Sequence, residues 1–215
     1  MVWDLPTRLF HWLLAALIPF SWWTAETERL ELHMYSGYAI LTLIVFRVLW
    51  GLFGSSTARF ATFVRGPRAI LAYVRGSRAW RAIGHSPLGA LSVLAMLIVL
   101  KLQVATGLIN ADDDGLVEGP LAKFTSIESA DLIHELHEIL FYVLLGMIAL
   151  HVAAIVFYRV VGGRKLLGPM ITGRAPLDPE SEPMRPGKWW AALLCLLVAV
   201  GVARWLIAGA PPFGA

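Results

Sequence analysis

The chain has 215 residues, of which 58% are hydrophobic and only 15% charged, with a mean hydropathy of +0.67 and a formal net charge of +3. Soluble domains carry roughly 25% charged residues, so a chain this apolar lacks the polar groups to cover a water-facing surface, and a soluble globular enzyme is excluded. The single cysteine, Cys195, excludes an intrachain disulfide, a covalent CxxCH haem site and any cysteine-cluster metal site.

Five apolar stretches follow one another: Leu9–Trp23, His33–Phe53, Leu88–Ile109, Leu132–Val161 and Trp189–Ala208. A bilayer core is crossed by about 20 apolar residues in a helix, so each stretch is expected to span. The first is short, but Trp12, Trp22 and Trp23 supply interfacial anchors. It does not have the pattern of a cleaved signal peptide, because Asp4 stands where a basic region belongs and no A-x-A site follows. Ser86-Pro87 opens the third span with an N-cap residue and a proline at the first helical position. The runs are continuous and lack the alternation of a membrane β-barrel. The expected fold class is all-α, an integral membrane bundle.

Charge sorts by connection. Residues 54–87 carry Arg59, Arg65, Arg68, Arg75, Arg78 and Arg81 and no acid, and Arg159 to Lys188 carries six basic residues against three acids. The other two connections are acidic: Glu26, Glu28 and Glu31 in one, Asp112, Asp113, Asp114, Glu118, Glu128 and Asp131 in the other. The positive-inside rule predicts a cytoplasmic N-terminus, basic loops inside and acidic loops outside, in a bacterial inner membrane. The arginines interleave with Phe60, Phe63, Ile70, Leu71, Tyr73 and Trp80, which reads as a helix lying on the anionic inner leaflet and not as a nucleic-acid site.

Six histidines stand at 11, 33, 85, 134, 137 and 151, most in or beside spans, where an ionisable residue marks function by default. His137 and His151 are fourteen residues apart, about 21 Å of helical rise and within about 40° of one face. Depths then match in pairs: His11 with His151 toward the inside, His33 with His137 toward the outside. Two imidazoles facing each other across a bundle suit a macrocycle with two axial positions, whereas four histidines split between two depths do not build one tetrahedral zinc site. Two non-covalent b-type haems, one per pair, are therefore expected. His134 points about 100° away from the His151 face and His85 has no partner of matching depth, so a structural or surface role is expected for both. Haem propionates need cations in a poorly solvated place; Arg8, Arg47 and Lys101 are the candidates for propionate or quinone contact.

Val2-Trp3-Asp4-Leu5-Pro6-Thr7-Arg8-Leu9-Phe10-His11-Trp12 resembles the opening of the bacterial cytochrome b561 family, which includes the b-type subunits of nickel–iron hydrogenases. Further matches are His33-x-x-x-Gly37, Arg47-Val48-Leu49-Trp50-Gly51, Gly84-His85-Ser86-Pro87-Leu88-Gly89, Thr106-Gly107 and the segment from His137-Glu138 to His151. The motif often has Asn at the Ser86 position. The resemblance implies a four-helix diheme core over residues 1–165, with His11, His33, His137 and His151 as ligands. Residues 166–187, with Pro176, Pro179, Pro183 and Pro186, form a cytoplasmic connector, and 188–215 a fifth transmembrane helix and tail beyond the matched part. It also implies electron exchange between the membrane quinone pool and a periplasmic partner, a c-type cytochrome or a hydrogenase, docking at the acidic outer loop. The alternatives are a quinol-dependent reductase of a small oxidant such as superoxide or ferric iron, needing no partner protein, and a metal or proton transporter, which would hold no haem.

Overall fold

A computed structural model describes residues 1–75, 84–111, 118–163, 165–176 and 183–213. Arg78, Trp80, Arg81, Asp112, Asp113, Asp114, Arg164 and Pro179 lie outside the described residues. Within them every regular element is helical, as the continuous apolar runs predict. The helices are α1 (Leu5–Glu26), α2 (Leu30–Phe53), the single turn α3 (Phe60–Phe63), α4 (Pro67–Val74), α5 (Pro87–Ile109), α6 (Ile127–Val160), α7 (Leu167–Thr172) and α8 (Trp189–Ile207).

Four of the described helices are long and apolar enough to cross a membrane: Leu30–Phe53, Pro87–Ile109, Glu128–Val160 and Trp189–Ile207. α1, at 22 residues, reaches about 33 Å at 1.5 Å per residue, which is long enough. Its hydropathy is held down by Arg8, His11, Pro19, Thr24 and Glu26. The expected limits shift outward at several ends. α1 begins four residues ahead of Leu9 because Asp4 caps it, its Oδ1 accepting from the Thr7 N–H at 2.7 Å. α2 begins at Leu30, so His33 sits in its first turn and not at its start. α6 begins at Ile127, five residues before the apolar run. The Ser86 cap is formed: its Oγ accepts from the Gly89 N–H at 3.2 Å, with Pro87 at the first helical position.

The chain divides into two compact units. The first comprises Met1–His11, Arg47–Met96 and Met147–Cys195; the second comprises Trp12–Phe46, Leu97–Gly146 and Leu196–Ala215. The first is organised around Trp50, 1% exposed, whose indole N–H donates to Asp4 Oδ2 at 2.9 Å. The N-terminal strip is pinned there as well. Val2 N donates to the Gly173 carbonyl at 2.8 Å, and the Val2 carbonyl accepts from Thr57 Oγ1 at 2.8 Å. The connector 166–187 therefore contains a helix, α7, and is tied down: Ser56 N–H donates to the Arg185 carbonyl and Arg185 N–H to Ser56 Oγ.

The second unit has its apolar centre at Leu41, Leu108 and Ala203, from α2, α5 and α8. α1 and α2 are joined there by a tight turn, in which Glu28 takes a left-handed φ of 56° and Arg29 N–H donates to the Thr24 carbonyl. A linker this short makes the two helices antiparallel neighbours.

Candidate haem-ligand pairs

In the second unit α2 and α6 bring His33 and His137 together, ring centroids 6.2 Å apart and planes at 79°. Both rings are half-buried. His33 Nδ1 lies 2.9 Å from the Ser21 carbonyl and 3.2 Å from Ser21 Oγ. A carbonyl only accepts, so Nδ1 carries the proton and Nε2 keeps its lone pair. His137 Nδ1 lies 2.9 Å from Thr106 Oγ1, while that hydroxyl also reaches the Gln103 carbonyl at 2.9 Å and the Leu102 carbonyl at 3.1 Å. With its one hydrogen given to its own helix, the Thr106 oxygen accepts from His137. Nε2 of His137 is then left for a ligand as well. Holding the outer nitrogen of a ligating imidazole is the usual way that tautomer and ring direction are set.

The space between the rings can be tested for fit. Two metal–imidazole bonds of about 2 Å each separate ring centroids by about 6 Å, which the 6.2 Å spacing matches. Gly107 makes room for the ring: a Cβ there would stand 3.0 Å from His137 Cε1. Gly37, one turn beyond His33, faces open space, with nothing within 4 Å of its would-be Cβ. The residues fit an iron porphyrin held by two imidazoles. His134, by contrast, is exposed, and the structure brings His137 and not His134 beside His33.

The first unit holds His11, in the second turn of α1, and His151 on α6, both half-buried and within electrostatic reach of one another. Among the described residues no group of three or more His, Cys, Asp or Glu converges as a metal cage. Arg8 donates to the Ile171 carbonyl at the end of α7, and its Nε is buried without a hydrogen-bond partner among the described residues. Gly173, at a φ of 76°, allows that approach, since a Cβ there would stand 3.2 Å from Arg8 Cζ. Arg47 is 3% exposed, donates to the Ala58 carbonyl at 3.2 Å and lies over the Phe60 ring at 4.9 Å. Lys101, in the second unit, is exposed on α5.

His85 has a place that its sequence position does not disclose. Its ring packs against Trp3 at 4.7 Å and Phe63 at 4.8 Å, and its Nδ1 is buried without a hydrogen-bond partner among the described residues. Burial holds the imidazole well below its ordinary value, to about 3, and the charges of Arg47 and then His151 push the same way. It is neutral near pH 7, an aromatic wedge more than a charge. The roles of Ser21, Thr106 and Trp3 also escape sequence reasoning. Thr106-Gly107, a polar and a small residue together inside an apolar run, is the one local signal that could have shown the His137 seat.

The model of the family described as prokaryotic cytochrome b561 matches residues 2–173. No curated protein and no solved structure matches the chain.

Proposed function

The chain belongs to the prokaryotic cytochrome b561 family, membrane b-type cytochromes of electron transfer, and from that premise we propose that it holds two haems and moves electrons between the quinone pool and a periplasmic redox protein. His33 and His137 hold one haem and His11 and His151 the other. The observation that carries this is the His33–His137 pair, 6.2 Å between ring centroids with each Nδ1 already engaged. Bound haem supplies reversible one-electron exchange at its iron.

The protein's own residues do the rest. Ser21 and Thr106 fix which nitrogen each imidazole presents, and the apolar walls keep water from the seat. Arg8, through its unengaged Nε, Arg47 and Lys101 are the cations for haem propionates or the quinone head group. Paired with a carboxylate in a poorly solvated place, such a cation is worth more than at an open surface. The N-terminus is cytoplasmic in a bacterial inner membrane, by the arginine distribution. The acidic outer loop, with Glu118, Glu128, Asp131 and Glu135 and the three aspartates at 112–114, draws a c-type cytochrome or a hydrogenase by its charge.

The test is haem stoichiometry on the purified protein, read from the reduced-minus-oxidised spectrum and the pyridine haemochrome. Wild type is expected to carry two b haems. His33→Ala and His137→Ala should each lose the same one, His11→Ala and His151→Ala the other, and His134→Ala neither. A single haem in wild type, or loss on replacing His134, would overturn the assignment. Turnover of a small oxidant with quinol alone, at the rate seen with a cytochrome present, would replace the partner protein with that oxidant.

A further inference from the structure

The segment between α2 and α5 serves neither histidine pair, yet its chemistry is strongly biased. Arg59, Arg65, Arg68 and Arg75 stand in and around α3 and α4, and the chain has no acid from 54 to 87. α4 lies against the beginning of α5 and leaves a small notch of about 30 Å³, partly open to the surface. Ile70 walls it on one side and Ala90, Leu91 and Leu94 on the other, and the exposed Arg65 completes its lining. Leu71 and Leu91, beside it, are each 49% exposed.

The α5 wall belongs to the first turns of a helix long and apolar enough to cross a membrane, where acyl chains are within reach. Arg59, Arg65, Arg68 and Arg75 make the segment basic, and it has no acid of its own. A free phosphate ion would use the arginines and gain nothing from the leucines. A neutral lipid tail would use the leucines and gain nothing from the arginines. The ligand that uses both is an amphiphile with an anionic head, and basic pockets at the membrane face bind such lipids.

We propose that the notch between α4 and α5 is a binding site for an anionic phospholipid, with an acyl chain along Ile70, Leu91 and Leu94 and the phosphate at Arg65 and Arg68. The site does not depend on the haem assignment, and its occupancy is read without any redox measurement.

Native mass spectrometry of the full chain in detergent tests it, with phosphatidylglycerol and phosphatidylcholine of identical acyl chains as probes. One phosphatidylglycerol should be retained in preference. Arg65→Gln should weaken its retention about fivefold, the worth of one arginine near an anionic lipid, and leave phosphatidylcholine unchanged. Ile70→Trp fills the notch without changing charge and should also reduce retention; Leu94→Phe, filling it from the α5 side, gives the same test should the first variant fold poorly. Arg174→Gln, an exposed arginine beyond α7, should have no effect. Equal retention of the two lipids would overturn the proposal. So would an Arg174→Gln loss as large as that of Arg65→Gln, or unchanged retention in a folded notch-filling variant. Displacement of the lipid by excess inorganic phosphate would identify a free-anion site instead. The haem spectrum should be unaltered in every variant, so failure here leaves the electron-transfer reading standing.

Discussion

His33 and His137 are steadied by unlike partners: His33 by a backbone carbonyl that every residue type at 21 would provide, His137 by the side chain of Thr106. Only the second is removable by substitution. Thr106→Val keeps the shape and removes the acceptor, so the His137 imidazole becomes a poorer electron donor and the reduced iron is favoured. The midpoint potential of that haem should rise by about 40 mV, the equivalent of one hydrogen bond of about 1 kcal/mol in a one-electron couple. On the two-haem assignment proposed above, potentiometric titration measures it, and the potential of the haem assigned to His11 and His151 should stay in place. The shared face of His137 and His151 is expected from spacing, because a helix returns to within about 40° of one direction after fourteen residues, and His137 does stand beside His33. Thr106 and Ser21 are not legible from spacing, because a hydrogen bond between helices depends on their rotation about their own axes, which hydropathy does not record.

At the scale of the element, apolar runs mark bilayer segments while caps mark helix ends, and the two need not coincide. Ser86-Pro87 is legible since its cap partner, Gly89, is three residues on. The beginning of α1 is not, because Asp4 does double service: it caps Thr7 and accepts from Trp50, 46 residues away. Asp4→Ala should therefore cost about 2–3 kcal/mol, a lost cap together with the lost buried hydrogen bond from the Trp50 indole. Thermal melting in detergent will show it, and Asp4→Asn, which keeps one acceptor oxygen and puts a donor in place of the other, should recover part of the loss. α6 likewise runs 34 residues, about 51 Å against a hydrocarbon core of about 30 Å. Its first five residues, 127–131, lie ahead of the apolar run that opens at Leu132, and the exposed His134 stands near the start of that run.

For the whole molecule, the five long helices and their order are legible from the placing of the apolar runs. The packing of the N-terminal strip against the connector is not, because those contacts join the two ends of the matched region through backbone carbonyls. His85 ties that region to pH. Its folded value, about 3, lies below the ordinary 6.5, so the unfolded chain takes up a proton first as the pH falls. The associated stability is complete above about 6.5 and declines toward about 3, by at most about 1.4 kcal/mol per pH unit. His85→Phe keeps a ring between Trp3 and Phe63 and should flatten this part of the profile. Melting temperatures of both proteins between pH 7 and pH 4 decide it; parallel profiles would assign the acid sensitivity to other groups.

The pinning of Val2 and Trp3 to the Gly173 carbonyl has a consequence in time as well as in space. During synthesis the first eleven residues emerge long before α7 exists, so the strip leading to His11 waits, unanchored, for more than 160 residues of chain to follow it. His33 needs only Ser21, already made, to take its orientation. The molecule thus has a built-in order of maturation: His33 can take its orientation early in translation, and the strip that carries His11 comes to rest only after Gly173 has been made.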